Sequence, residues 1–553
     1  MGGITSTSGR RRRGPFGLGP GTIGACVAAA ALVLTTAVAS ASSGVKLSNS
    51  GPSDEGPYPY QYPASGSVQV GSGKTIGGTT CTPGTAQFAS PYAVPCVAKF
   101  TGNNGGATYD GVTSKEILLT TRMFPTANLQ LAEAEARAAG VALPQVSEQV
   151  GEVFLKYFNK VFDLYGRHVV IDTLNTQADP TAEALGQGQA QACADAATIA
   201  TQMHAFGETG LFGGGTGPFS QCAAQDHLVE FNGDGYYNEG TFQSLNPYVW
   251  SLTQDCTRLS SNEAEVVATM LANKKAIYAG EPSLQGTVRK FGSYFPDVPA
   301  YITCAQNFEK IVRAKYHLPT SDFVDYTYSP DISTFAQSAQ QAIVQFKAEG
   351  VTTVIIGSDP YSAGLLTKAA AAQNFYPEWF LEGVALTDED QAVQAYDDPA
   401  EVAGHLFGMS ELSPPTETSG PRSLAGQLYK KLTGHTIPSG TDGGYSTLIY
   451  IFDALQAAGP DLTPQNLARG LHAIPDLGAP LYQYGKWSWN SSPSGTPGGG
   501  DHTAGVDARF IWWNADAISP INGQKGTYEV AFDGKRFTLG QWPKSLPPMF
   551  TTG

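Results

Sequence analysis

Two polar loops and one strand end contain groups that could act as acids, bases or ligands. The stretch "NGDGYYNEG" contains Asp234 and Tyr236, "GSDPYSAG" contains Asp359 and Tyr361, and Glu382 follows "EWFL". A pair of carboxyl groups facing a cleft can serve as general acid and general base, so a secreted hydrolase is one hypothesis. Calcium binding is another, but the first loop lacks the ligand spacing of an EF-hand, and a turn is the favoured interpretation.

Other motifs of catalysis or cofactor binding are not found in the sequence. It contains no HExxH and no GxSxG, and "GSGKT" is not a P-loop because Val68 stands where the first glycine is required. The eight histidines are scattered, which argues against a zinc site. "FGGGTGPFS" lacks the GxGxxG register and predicts a glycine turn beside a ligand. We therefore predict no catalytic residue, no metal and no cofactor.

Composition and charge limit the classes of partner. The chain has 553 residues, a net charge of −15 and 15% charged residues, and no basic run follows residue 13. Because binding to nucleic acid requires clustered Lys and Arg, a nucleic-acid partner is excluded.

The amino-terminal region predicts export. Four arginines, an apolar run and the small residues "AVASAS" form a signal peptide over residues 1–41, with an uncleaved anchor or a lipid anchor as alternatives. Residues 42–108 are rich in Gly, Ser and Pro, which is typical of an extended spacer. We expect an extracellular or cell-surface location.

Six cysteines follow the predicted signal peptide, and an even number in an exported chain predicts disulfides. Pairing of neighbours is one of the fifteen connectivities that six cysteines allow. It would join Cys81–Cys96, Cys193–Cys222 and Cys256–Cys304.

Strands and helices are predicted to alternate from residue 109 onward. "RHVVIDT", "KKAIYAG", "FVDYTYS" and "VTTVIIG" are predicted strands, and "FAQSAQQAIVQFKAEG" is a predicted helix. Repeated alternation predicts parallel sheets, and two series of strands predict two α/β lobes. Ligands bind at the carboxyl ends of such strands, so the predicted site is a cleft between the lobes.

Several of these stretches together resemble the type I periplasmic solute-binding proteins of the branched-chain amino-acid group. The resemblance is carried by "YDGVTSKEILLTT", "FKAEGVTTVIIGSDPYSAGLLTKAAAA" and "GYSTLIYIFDALQAAGPDLTPQNLARGLHAI", in this order. It implies two Rossmann-like lobes with parallel central sheets joined by a hinge. Lobe 1 would comprise residues 109–251 and 410–485, and lobe 2 residues 252–409 and 486–545. "TANLQLAEAEARAAG" and "VRKFGSYFPDVPAYIT" are additions near the predicted cleft.

The resemblance also implies ligand-binding residues, with Glu382 at the position of the acid that binds an ammonium group. Simpler roles remain open for three of them: Ser220 and Asp359 could cap helices, and Glu382 could be a solvated loop residue. The full set is Ser220, Asp234, Tyr236, Gln285, Asp359, Tyr361 and Glu382.

The function that this resemblance implies is capture of an amino acid or related small molecule for a membrane ABC permease, by a monomeric protein that is not an enzyme. A sensor module on the same fold is the first alternative. The secreted hydrolase is the second.

Overall fold

The computed structural model describes most of the chain from residue 73 onward. The predicted signal peptide, the start of the predicted spacer and the segment "TANLQLAEAEARAAG" lie outside the described residues. The described residues are 73–82, 85–125, 144–179, 182–183, 185–211, 215–383, 385–411, 422–438, 441, 443–478, 485–490 and 501–550.

Lobe 1 is built on four parallel strands, and two antiparallel hairpins lie outside this sheet. The parallel sheet has the order β4-β3-β5-β6. The hairpins are β1-β2 and β12-β13. Their bounds are β1 (Gly73–Lys74), β2 (Thr80–Cys81), β3 (Glu116–Met123), β4 (His168–Asn175), β5 (Gly207–Glu208), β6 (Val229–Glu230), and, later in the chain, β12 (Leu477–Gly478) and β13 (Lys486–Trp487).

Lobe 2 is built on an eight-stranded mixed sheet with the order β15-β14-β11-β10-β9-β7-β8, and β16 pairs with β14. The strands from β7 to β11 are parallel, whereas β14 is antiparallel to β11, β15 and β16. Their bounds are β7 (Phe291–Pro296), β8 (Phe323–Tyr328), β9 (Thr353–Ile356), β10 (Glu378–Leu381), β11 (Leu406–Ser410), β14 (Ala508–Ile518), β15 (Lys525–Val530) and β16 (Arg536–Phe537).

Helices cover the faces of both sheets. Those of lobe 1 are α1 (Pro144–Val161), α2 (Gln189–Thr198), α3 (Gly217–Gln225), α4 (Glu239–Ser244), α12 (Leu424–Thr433), α13 (Gly443–Ala458) and α14 (Pro464–Leu471). Those of lobe 2 are α5 (Cys256–Val266), α6 (Pro282–Gln285), α7 (Pro299–Ala314), α8 (Phe335–Glu349), α9 (Pro360–Ala372), α10 (Asp390–Tyr396) and α11 (Pro399–Val402).

The core of lobe 1 is aromatic. Helix α1 presents Phe154 and Phe158 to α13, and Phe162 follows at its end; the ring of Phe452 on α13 lies 5.6 Å from that of Phe158. The helical spacing of these apolar residues predicts this buried face. The core of lobe 2 has two layers, with α8 and α9 on one face of the sheet and α5 and α7 on the other.

The predicted α/β architecture with two lobes and parallel central sheets is confirmed. The three predicted disulfides are also present, Cys81–Cys96, Cys193–Cys222 and Cys256–Cys304. Among the described residues, no helix combines the length and apolarity needed to cross a membrane.

Part of the predicted spacer (42–108) is folded. Tyr92 and Val94 are buried in the core of lobe 1, and the Val94 backbone N–H donates to the carboxylate of Asp453 at 3.0 Å. The Gly, Ser and Pro content of this segment allows irregular backbone, and its few apolar side chains are enough to anchor it on α13. The described end of the segment is therefore part of the domain.

The first strand of lobe 2 lies further along the chain than predicted. "KKAIYAG" forms turns, with Ile277 exposed, whereas β7 lies within the stretch that the sequence marks as an addition. All six residues of β7 are buried, because β7 lies between β8 and β9 with helices on both faces. The segment from residue 274 to residue 290 therefore precedes the strand and lies at its amino end.

Candidate functional site

Loops at the carboxyl ends of the two parallel sheets meet at the predicted cleft between the lobes. Tyr236, in the loop after β6, stacks on Tyr301 in the first turn of α7, with ring centroids 3.8 Å apart and an interplanar angle of 25°. The Sγ atom of Cys304 lies 3.9 Å from the carbonyl oxygen of Tyr236. Residues that follow strands of both lobes thus meet here, as expected for a ligand site in this architecture.

The connections between the lobes lie beside this cleft and are joined by polar contacts. The backbone N–H of Gln254 donates to the carboxylate of Glu411 at 3.1 Å, and its side-chain amide donates to the carbonyl of Asp507 at 3.0 Å. These residues lie where the chain passes between the lobes. Arg536 donates to the Asp507 carboxylate at 2.7 Å. The crossings therefore form one hydrogen-bonded hinge.

Tyr301 lies at the centre of a group of acidic residues from both lobes. Burial raises the pKa of the Tyr301 phenol, and the nearby carboxyls of Asp359, Asp234 and Glu382 raise it further. Three residues predicted from the sequence are thus brought together around one tyrosine that was not predicted. Tyr236 is the fourth predicted residue in this group.

Asp359 has a structural role within this group. It is the N-cap of α9, and its carboxylate accepts from the Ser362 backbone N–H at 2.8 Å and from the Ser362 hydroxyl at 2.6 Å. The Tyr328 hydroxyl donates to it at 3.1 Å. Tyr361, in the first turn of α9, lies with its ring against those of Phe335 and Tyr396. Asp359 thus faces the cleft as a cap, and Tyr361 packs against the helix layer.

Glu382 lies near Glu263, a second buried acid that was not predicted. Burial raises the pKa of Glu382 to about 8, and the pKa of Glu263 is raised by burial and then by the Glu382 carboxyl. Glu263 lies on α5 and is 3% exposed. The Glu382 carboxylate packs against Gly357, where an added Cβ would lie 2.7 Å from Oε1. Glycine at this position makes room for the acid.

Lobe 1 contributes Asp234 to the cleft. Its carboxylate accepts from the Tyr236 backbone N–H at 2.9 Å, which fixes the turn after β6. Burial raises the pKa of Asp234 to about 6, and hydrogen bonds from the backbone N–H groups of Tyr236 and Gly217 oppose this shift. Asp234 therefore links the loop after β6 to the amino end of α3.

Ser220 lies behind the cleft wall. It is fully buried on α3, and its hydroxyl lies beside the carboxyl of Glu230, whose pKa is raised well above its ordinary value by burial. Thr216, rather than Ser220, is the N-cap of α3. The expected helix-cap alternative for Ser220 is therefore wrong.

Gln285 is not brought to the cleft. It is the last residue of α6 and donates to the carbonyl of Ala279 at 2.7 Å. Because α6 precedes β7, Gln285 lies at the amino end of the sheet, where neighbouring Gly280 contacts Tyr376 and His405. The shift of the first strand of lobe 2 relative to its predicted position accounts for this difference.

A buried ion-pair cluster at the edge of lobe 1 was also missed. Arg122, in β3, donates to Glu183 at 2.7 Å and to Asp195 at 2.8 Å, and its guanidinium lies 4.3 Å from the centroid of the Phe219 ring. Thr216 donates to Glu183 at 2.7 Å. The sequence signal for this cluster is a single arginine in the otherwise uncharged stretch "ILLTTRM".

The group around Tyr301 can therefore offer hydrogen bonds and aromatic surface to a ligand. Among the described residues, none of the salt bridges involves Asp234, Glu263, Asp359 or Glu382. The part of the chain that the structure describes contains no group of residues that could hold a metal ion.

Solved structures of binding proteins share this fold, although no protein-family model and no curated protein matches the chain. A fatty acid ABC transporter substrate-binding protein from Thermomonospora curvata aligns with a TM-score of 0.51 and 13% identity, over 79% of this chain and 96% of that chain. A leucine-, isoleucine-, valine-, threonine- and alanine-binding protein from Brucella ovis, in a closed conformation, aligns with a TM-score of 0.51 and 14% identity, over 78% of this chain and 97% of that chain. The resemblance to type I periplasmic binding proteins is thus confirmed at the level of the fold.

Proposed function

We propose that this chain is an extracytoplasmic solute-binding protein that captures an amino acid or a related small organic molecule between its lobes and delivers it to an ABC transporter. The observation that carries the proposal is the contact between the carboxyl ends of the two sheets, where Tyr236 of lobe 1 stacks on Tyr301 of lobe 2. A ligand that touches both walls would favour the closed form, and closure is what a permease could recognise.

Two further features support a binding role. The hinge around Gln254, Glu411 and Asp507 is a small hydrogen-bonded unit that could allow the lobes to move as rigid bodies. Asp359 is engaged in capping a helix, which makes it less available than Asp234 or Glu382 as the acid or base of the hydrolase hypothesis. We further propose export by the amino-terminal segment and function as a monomer.

The test is a thermal-shift screen with amino acids and small organic molecules, combined with mass spectrometry of compounds released when the purified protein is unfolded. A ligand at one hundred times its Kd should stabilise the folded state by about 2.7 kcal/mol. Failure of every compound to stabilise the protein, with nothing released on unfolding, would contradict the proposal.

Two variants locate the site. Tyr236→Ala should weaken binding, because it removes one half of the contact between the lobes. Gln285→Ala should change the affinity by no more than about twofold, because that side chain lies at the amino end of the sheet. Strong loss of binding in Gln285→Ala would instead support the ligand-binding role that the sequence predicts for this residue.

A further inference from the structure

Residues 538–550, which we call the strap, pack on lobe 2 and are tied to helix α5 by three hydrogen bonds. The backbone N–H groups of Gly540 and Trp542 both donate to the carboxylate of Glu265, at 2.6 Å and 3.3 Å. The indole N–H of Trp542 donates to Oδ1 of Asn262 at 2.8 Å. Trp542 and Asn262 are both buried. The strap thus presents one buried donor to the helix that begins at the hinge.

Asn262 connects the strap to the crossings between the lobes. Its Nδ2 atom donates to Oε1 of Gln254 at 3.2 Å, and Nε2 of Gln254 donates to the carbonyl oxygen of Asp507 at 3.0 Å. The backbone N–H of Gln254 also donates to the carboxylate of Glu411, so this residue joins all three crossings. A continuous chain of three buried hydrogen bonds therefore runs from Trp542 in the strap to Asp507 in the last crossing.

The direction of this chain is fixed at both ends. An indole N–H can only donate a hydrogen bond, and a backbone carbonyl oxygen can only accept one. Asn262 must therefore turn its amide oxygen toward Trp542, which leaves its NH2 group for Gln254. Gln254 must in turn direct its own NH2 group toward Asp507. Reversal of either amide would bring two donors or two acceptors together in a buried place, which is costly.

The chain of hydrogen bonds belongs to an arrangement in which the lobes touch, since Tyr236 of lobe 1 stacks on Tyr301 of lobe 2. Opening of a hinged protein changes the backbone angles at its crossings. Such a change would move the first crossing relative to the last one, and the bond between Gln254 and Asp507 joins these two. The chain is therefore best formed when the lobes are in contact.

We infer that the strap stabilises the compact arrangement of the lobes through this chain, with Trp542 and Asn262 as positioning residues that act on the hinge through Gln254. This inference rests on the movement of the lobes in the proposed function. It makes the balance between open and compact molecules depend on a segment outside the cleft. Because a ligand held by both walls binds the compact form, loss of the chain also lowers the apparent affinity for that ligand.

The experiment measures the distance between two spin labels by pulsed electron paramagnetic resonance on the full chain, with no ligand added. The labels are attached through Asn175→Cys, at the end of β4, and Ser329→Cys, directly after β8, both exposed and on edge strands of the two sheets. Trp542→Phe keeps a ring to pack on Phe537 and removes the N–H group. Asn262→Leu removes both amide groups at a similar volume. Since loss of one buried hydrogen bond changes an equilibrium by about fivefold, each variant should raise the ratio of open to compact molecules by about this factor.

The matched control is Trp379→Phe, which removes a buried indole N–H that donates to Glu401 at 3.3 Å within lobe 2. It should leave the ratio of open to compact molecules as in the parent protein. The double variant of Trp542→Phe and Asn262→Leu should open the lobes no more than either single variant, because both changes break the same chain. Circular dichroism checks that every variant is folded.

An unchanged ratio in both folded single variants would overturn the inference, and so would an equal change in Trp379→Phe. Additive effects in the double variant would overturn the assignment of the two residues to one chain. These outcomes are independent of the ligand screen. A variant ratio that rises as expected, while no compound binds, would contradict the proposed function and leave the role of the strap standing.

Discussion

Both lobes bury acidic side chains at the carboxyl ends of their sheets, but the acids differ in their partners. In lobe 1, Glu183 and Asp195 both bind the guanidinium of Arg122. In lobe 2, burial raises the pKa of Glu382 and of Glu263, and neither acid forms a salt bridge among the described residues. Because a buried charge without a partner is costly, the carboxylates of lobe 1 are balanced by their cation, whereas the acids of lobe 2 keep their protons to a higher pH.

The largest effect should come from breaking the paired cluster. Arg122→Met leaves two carboxylates buried without their cation, and we expect a loss of about 3–5 kcal/mol in the free energy of unfolding. Urea denaturation followed by circular dichroism measures this loss. The exposed pair between Lys156 and Glu152 provides the control, since Lys156→Met should cost no more than about 0.5 kcal/mol. A loss below about 1 kcal/mol for Arg122→Met would show that this cluster is not structural.

Neutralising a buried acid in lobe 2 should instead increase the free energy of unfolding. Burial raises the pKa of Glu382 from its ordinary value of 4.5 to about 8, so the folded state holds a proton that the unfolded state loses between these two values. The parent protein therefore loses stability as the pH rises from about 5 to about 8, and Glu382→Gln does not suffer this loss. At pH 8 the variant should be more stable by about 1–3 kcal/mol, and near pH 4 the two should be equal.

This prediction depends on what faces Glu382. The groups near Glu382 are Glu263 from α5, Tyr301 from α7 and Tyr236 from lobe 1. Gly357 packs against the Glu382 carboxylate. They are all acids, phenols or uncharged groups, so none of them opposes the shift. Urea denaturation of both proteins across this pH range is the measurement. Equal stability at every pH would mean that the Glu382 carboxyl is already paired with a cation.

The sequence predicts the fold well where apolar residues recur with a clear period. Phe154 and Phe158 on α1 illustrate this, since helical spacing places them on one face and that face is buried. The predicted position of the first strand of lobe 2, at "KKAIYAG" instead of β7, was wrong for a physical reason. A central parallel strand is buried on both faces and shows no alternation, and the Gly, Ser and Pro of "FGSYFP" are typical of loops.

The candidate site could be predicted in part for a related reason. Asp234, Asp359 and Glu382 lie in the loops that follow strands, and the ends of parallel strands meet at one edge. Glu263 and Tyr301 come from helices whose positions relative to the cleft depend on packing between α5 and α7. No spacing in the sequence relates these two residues to the strand ends, so only the folded chain reveals them.

The smallest predicted effect concerns the contact that joins the two walls. Tyr301→Ala removes the ring that stacks on Tyr236, and an aromatic pair of this kind contributes about 0.5–1.5 kcal/mol beyond its buried area. Because the two rings belong to different lobes, the loss should shift the lobes toward an open arrangement and leave the core of each lobe intact. Small-angle X-ray scattering should then show a larger radius of gyration, with an unchanged far-ultraviolet circular dichroism spectrum. Tyr301→Phe keeps the ring and should remain as compact as the parent. If Tyr301→Ala were equally compact, contacts at the hinge rather than the tyrosine pair would hold the lobes together. The arrangement of side chains on the wall of lobe 2 would then depend less on contact with lobe 1 than the stacking indicates.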